Sequence, residues 1–397
     1  MPVLFRAWST RSDSGRPGFD EGTARGTQVR RGALTIGRPV GAVSYIDPFG
    51  DGSPASYDHA SWLSPWVPAP FGAAEVVASW NATTPVGTWV QVEVRGATTA
   101  GDETGWYVLG RWASYDEGFH RTSVAGQADD HGSVRTDTLV SRDGRAFGSY
   151  QLRLTLCRLA GTTAAPTVML LGAMASAGSG ERSVDLTPGV AVGRVLDVPA
   201  YSQEIHRGEY PPWDGGGEAW CSPASTAMVL DHWGRGPGRE ETSWVDPAYA
   251  DPQVDHAARQ VYDHAYGGAG NWSFNVAYAG SRGLTAFVTR LRSLGEAERF
   301  IARGVPLVLS VSFRADELDG AGYATAGHLM VLVGFDRRGD PVLNDPASHR
   351  VASNDKVRVT FDRAQLERAW ARSNRTAYVI VPPQVALPEP SAQAPRW

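Results

Sequence analysis

The stretch Trp220-Cys221-Ser222-Pro223-Ala224-Ser225-Thr226-Ala227-Met228-Val229-Leu230-Asp231-His232-Trp233-Gly234 reads as a helix with a cysteine at its start. Pro223 stands just inside the first turn and Gly234 just past the end, the asymmetry expected of helix termini. A thiol at a helix N-terminus faces unpaired backbone N–H groups and the positive end of the helix dipole, both of which stabilise its anion. Most free cysteines are small buried hydrophobes. Cys221 differs because it follows a glycine run, Asp214 to Glu218, and lies outside any apolar stripe.

Working outward, residues 254–266 and 294–302 carry amphipathic helical patterns, and residues 304–312 read as a buried strand. Residues 329–335 and 341–344 flank the turn residues 336–340 and predict a hairpin. Helices first and an antiparallel sheet afterwards make this half α+β. Residues 1 to about 185 have another character. Residues 147–157 alternate, with Tyr150, Leu152, Leu154 and Leu156 on one face and Gln151, Arg153, Thr155 and Cys157 on the other. Residues 88–95 alternate likewise, and residues 105–112 follow after a glycine-containing turn. Short strands joined by such turns predict an all-β sandwich.

A length of 397 residues favours two domains at roughly 100–200 residues each. The small polar stretch 175–183 and the turn chemistry at 185–189 put the boundary near 190. The expected division is a β-sandwich accessory domain with linker over 1–190, a catalytic domain over 191–385 and a Pro-rich tail over 386–397. Apolar residues at 42% and charged residues at 20% are ordinary globular usage. A net charge of −5 gives no basic field for nucleic acid. No apolar run is long enough to span a bilayer, and the residues after Met1 show no export leader. Lys356 is the lone lysine among 37 basic residues, a skew read as coding bias. Two cysteines exclude a disulfide scaffold and a multi-thiolate metal site.

A nucleophilic thiol needs a base, and the base needs an orienting group. Of nine histidines, His256 and His264 sit beside Asp255 and Asp263 and read as a solvated helix face, and His232 falls at a helix C-terminus, where a cation is favourable without function. His328 differs, because it follows the glycine-bearing loop 320–327 and opens the strongest apolar strand. If the hairpin folds about residues 337–339, paired residues have numbers summing to about 676. Asp345 then lies opposite Met330 or Val331, one diagonal step from His328, roughly 7–8 Å at the backbone. Asn344 is expected on the other face.

These segments resemble the C39-like cysteine peptidases of the papain-like superfamily. The likeness rests on residues 198–203, on 219–228 around Cys221, on 327–336 beginning Gly327-His328, and on Asn344-Asp345-Pro346-Ala347, and it covers about 195–382. It implies a papain-like α+β fold, Cys221 as nucleophile, His328 as general base and acid, and Asp345 as the group orienting His328. Gln203 is assigned to the oxyanion hole by the resemblance. Ser222 departs from the glycine usual after the nucleophile. Tyr201 and Ser202 receive no role. Family members are often exported, which leaves the compartment open.

Cys157 is expected to be an inert strand residue, unpaired with Cys221, and no histidine pair suggests zinc. The expected cofactors and metals are none. Seven of fourteen tryptophans, at 8, 62, 66, 80, 89, 106 and 112, fall in the first half, either as core or as a carbohydrate platform. Trp213 and Trp272 mark the expected cleft walls. The expected activity is hydrolysis of a peptide or protein substrate at peptide or related amide bonds. Two other classes share the motifs: a catalytically silent protein binding cell wall or glycan, and an acyltransferase using the same thiol.

Overall fold

A computed structural model describes residues 1–9, 16–142, 144–178, 187–390 and 397. The expected linker falls partly, and the Pro-rich tail mostly, outside the described residues. Residues 3–176 form two seven-stranded antiparallel sheets, the layers of a sandwich. Phe147–Leu159 is central to one, between Thr88–Thr98 and Pro54–Leu63, and Thr167–Ser176 is central to the other, beside Glu75–Thr83. Tyr150, Leu152, Leu154 and Leu156 enter the core, as their alternation predicts.

Cys157 corrects the expectation of a polar face. It is buried under Tyr57, Trp89, Ala113 and Phe119, with the Trp89 and Phe119 rings stacked at 5.3 Å. Residues 113–119 fold over this outer patch, so both faces of the strand are dry here. Burial pushes the Cys157 thiol far above its usual range. Of the seven tryptophans, Trp8, Trp62, Trp80, Trp89 and Trp112 are buried, and Trp66 and Trp106 are half-exposed.

The second half contains a six-stranded antiparallel sheet in the order Thr285–Arg290, Thr376–Val381, Leu307–Phe313, Thr325–Phe335, Pro341–Asn344 and Arg358–Thr360. Five helices accompany it among the described residues: α1 (Cys221–His232), α2 (Pro252–Val261), α3 (Trp272–Ser281), α4 (Leu294–Ile301) and α5 (Arg363–Arg372). The helix expected over 254–266 ends at Val261, and Asp263 and His264 lie beyond it. Neither Asp255, His256 nor Asp263 is solvated. His256 Nδ1 pairs with the Tyr278 hydroxyl at 2.9 Å, and burial lowers the pKa values of His256 and His264 to about 4.

The hairpin register is close to the expectation. Gly334 pairs with Val342 and Val331 with Asn344, so the sum slips from 676 to 675 at an irregularity between Leu332 and Gly334. Residues 194–196 cross the strand there, with Leu196 N–H donating to Val333 O and Phe335 N–H to Arg194 O. A Cβ on Gly334 would stand 2.3 Å from Arg194 O, so this crossing requires glycine.

The two halves share one hydrophobic core. Strand Thr285–Arg290 is the sheet edge, and its outward backbone is capped by side chains of Glu75–Thr83. Asn81 Nδ2 donates to Ala286 O at 2.7 Å, Asn81 Oδ1 accepts from Ala286 N at 3.1 Å, and Ser79 Oγ accepts from Val288 N at 3.0 Å. Helix α3 packs on the same strand, with Trp80 edge-on to Phe274 and Ser273 Oγ donating to Ala78 O. Phe5 stacks on Phe287, and buried Arg121 donates to Ala113 O, Tyr115 O and, across the interface, Arg259 O. Among the described residues, no helix is long and apolar enough to cross a membrane.

Candidate active site

Helix α1 begins at Cys221, and its first turn leaves backbone N–H groups without intrahelical acceptors beside the thiol. The half-buried Cys221 opens into a cavity of about 350 Å³, whose lining includes Gln203, His328, Trp272, Tyr266 and Arg350. Ser222 turns away from it and pairs with the Tyr378 hydroxyl at 3.0 Å in the core. A side chain is therefore accommodated directly after Cys221.

His328 lies on Thr325–Phe335, opposite Val311. Its ring is buried, and Nε2 pairs with Asp345 Oδ1 at 2.8 Å. Cys221 lines the same cavity as the ring, and with Nε2 engaged by Asp345, Nδ1 is the nitrogen left for the thiol. Burial opposes a charged ring, but the Cys221 sulfur and the Asp345 carboxylate outweigh it and raise the His328 pKa to about 10. Asp345 is fully buried, and its Oδ1 also accepts from Ala347 N at 3.0 Å.

Gln203 opens a short 3₁₀ turn, Gln203–His206, just upstream of the thiol in space. Its Nε2 donates to Glu218 O at 2.5 Å, which uses one of its two amide hydrogens, and the residue lines the cavity. Asn344 points to the other face, as expected, donating to Pro199 O at 2.9 Å and accepting from Arg358 Nε at 3.0 Å. It thereby ties the segment leading to Gln203 to the hairpin.

Residues 195–378 match the peptidase C39-like family, and residues 5–176 match the peptidase C39 N-terminal domain. The chain belongs to the peptidase C39-like family. No curated protein matches this C39-like chain. Among solved structures, a carbohydrate-binding module, TmCBM61 in complex with β-1,4-galactotriose, is 7% identical with a TM-score of 0.18, covering 42% of this chain and 86% of that one. The glycosylation-associated Gap123 complex from Streptococcus agalactiae is 10% identical with a TM-score of 0.21, covering 49% and 50%. A family 22 carbohydrate-binding module of Clostridium thermocellum Xyn10B is 12% identical with a TM-score of 0.18, covering 45% and 97%. Likeness at this level decides nothing about ligand or activity.

Two contributors to the C39-like site escaped the sequence reading. Tyr323 lies within the glycine loop that precedes His328, and its hydroxyl donates to Asp345 Oδ1 and Oδ2, each at 3.0 Å. Burial and the carboxylate push its own pKa well above the usual range. Arg350 lies over its ring at 5.2 Å, carried by two successive non-glycine residues of positive φ, His349 and Arg350. The second contributor is Asp137, from the sandwich. Its Oδ2 accepts from Trp272 N at 2.8 Å and so fixes a cavity wall at the start of α3. Burial raises the Asp137 pKa to about 6. Trp272 lines the cavity as expected, whereas Trp213 packs against Tyr210 and Trp244.

Proposed function

We propose that this chain is a cysteine peptidase of papain-like fold, hydrolysing peptide or related amide bonds through Cys221, His328 and Asp345. The observation that carries this reading is buried Asp345 hydrogen-bonded to His328, whose ring shares one cavity with a half-buried cysteine at a helix start. An imidazolium beside the sulfur favours its anion. The Cys221 sulfur attacks the scissile carbonyl carbon, and the oxyanion is bound by the free Gln203 amide N–H and the Cys221 backbone N–H. Such a donor is commonly worth about 3–4 kcal/mol of barrier. His328 then protonates the leaving amine, and an acyl-enzyme remains. Water, deprotonated by His328, attacks the acyl carbon and releases the acid, restoring the thiol. Asp345 holds the ring with Nδ1 toward the sulfur, and Tyr323 and Ala347 hold Asp345.

The division at residue 190 belongs to this reading, with one change of emphasis. Through Asp137 and Asn81 the first half acts as a fixed wall of the catalytic half.

A carbohydrate ligand for the sandwich is a second reading, favoured by one surface. Half-exposed Trp66 and Trp106 flank Arg95 at 4.6 and 4.9 Å, and Gln151, Glu93 and Arg153 add planar polar groups beside them. Pull-down on polysaccharide and peptidoglycan with Trp66→Ala and Trp106→Ala tests it, and retention unaffected by both variants removes it.

A peptide-library cleavage profile tests the primary reading. Turnover is expected in the full chain, none in Cys221→Ala, severe loss in His328→Ala and a milder loss in Asp345→Asn. Full activity in Cys221→Ala, or equally small effects of the other two, would overturn it. Product carrying an added amine instead of water would make the chain a transferase.

A further inference from the structure

We propose that His206, Glu209 and Asp255 form a site for one divalent transition-metal ion, best matched by zinc, beneath the turn that carries Gln203. The proposal stands apart from the peptidase reading. All three side chains are buried, and one donor atom from each lies within 4.8 Å of the others. His206 Nδ1 is 2.7 Å from Glu209 Oε2 and 3.4 Å from Asp255 Oδ2. A tetrahedral ion with bonds of about 2.1 Å sets its donors about 3.4 Å apart, so small shifts admit it.

The second observation concerns Asp255 on α2. Its side chain is fully buried, and neither carboxylate oxygen has a hydrogen-bond donor among the described residues. His206 Nε2 is likewise without a partner. Buried carboxylates are ordinarily paired or bound to metal. His206 Nδ1 is directed at Glu209, and Asp255 is left facing it without a donor of its own. No arginine or lysine pairs with Glu209 or Asp255 among the described residues. A dication accepts one donor from each residue and balances both acids. One imidazole with two carboxylates suits zinc better than the all-oxygen preference of magnesium or calcium. Three protein donors leave the fourth position to water.

The ion would join the Gln203–His206 turn to α2. Gly217, in the turn before Cys221, lies so close to the first turn that an added Cβ would meet Gln203 O and His206 C at 2.4 Å. The His206 ring also lies 5.9 Å from the Trp220 ring, next to the thiol. The site therefore braces Gln203 and Cys221 from below.

The test is metal analysis of the full chain by mass spectrometry, with melting temperature read after dialysis against EDTA and after zinc addition. About one equivalent of zinc is expected, with a fall in melting temperature of several degrees in EDTA that zinc restores. Cys221→Ala should keep the ion, whereas Asp255→Asn should lose at least nine-tenths of it. Retention in Cys221→Ala separates this site from thiol-bound metal and from the fate of the peptidase reading. Less than a tenth of an equivalent after incubation with excess zinc or manganese, with an unchanged melting temperature, would overturn the proposal. That wild-type measurement decides even if Asp255→Asn does not fold.

Discussion

Replacing Asn81 by alanine tests whether the two halves fold as one body. Asn81 satisfies both backbone groups of fully buried Ala286 on the edge strand of the second sheet. Its side chain is also packed against Gly280 of α3, where an added Cβ would stand 2.6 Å from Nδ2. The variant leaves one N–H and one C=O buried without partners, each costing about 1–3 kcal/mol, hence about 2–6 kcal/mol together. Set against a typical total of about 5–15 kcal/mol, that is a large fraction. Urea unfolding followed by tryptophan fluorescence reads both halves, because seven of the fourteen tryptophans lie in the first. The expected result is one transition shifted as a whole by at least about 2 kcal/mol, with labelling of Cys221 by a thiol probe changing at the same midpoint. A shift below about 0.5 kcal/mol, the level of an ordinary surface substitution, would refute the reasoning. Two separate transitions would refute it equally.

Tyr323→Phe removes a hydrogen bond to a buried carboxylate, commonly worth about 1.5–3 kcal/mol. It should lower kcat about ten- to hundredfold with KM nearly constant, and an unchanged kcat contradicts the positioning role. For His328, whose folded pKa is raised to about 10, the contribution of the charged ring is complete below its ordinary value near 6.5 and is lost as pH rises through about 10. The alkaline limb of kcat/KM should fall near 10, and a limb near 7 contradicts the ion pair. Asp137 is a buried acid raised to about 6, so the stability tied to its neutral form is complete below about 4 and is lost as pH rises through about 6, about 3 kcal/mol in all. Asp137→Asn should therefore gain melting temperature relative to the parent between pH 4 and pH 7.5, and an equal difference at both pH values contradicts the assignment.

The legible parts of the sequence were those decided locally. Pro223 and Gly234 frame α1 because they act within one turn, and the hairpin about residues 337–339 brought Asp345 to His328 through pairing geometry alone. The single-residue slip came from residues 194–196 crossing at Gly334, a contact between segments about 140 residues apart. Helix α3 was not foreseen because it is buried almost all round and shows no polar face, and the signal available was Asn271, whose side chain caps Phe274 N. Asp255, His256 and Asp263 read as solvated because nothing local shows what covers them, and Ser123 N–H of the sandwich in fact donates to Asp263. Cys157 is an unpaired, inert strand residue as expected, and only its face was misread for the same reason, since its cover comes from residues 113–119. Tyr323 was overlooked in a loop notable for glycine, although a tyrosine five residues before His328 was the signal to follow.

The central claim is that His328 activates Cys221, and the rate of alkylation by iodoacetamide, read at each cysteine by mass spectrometry at pH 6, tests it most directly. Cys221 should react at least about tenfold faster than free cysteine, buried Cys157 should not react in the folded chain, and His328→Ala should slow Cys221 by at least about tenfold. Equal rates for Cys221 in the parent and in His328→Ala would contradict the account.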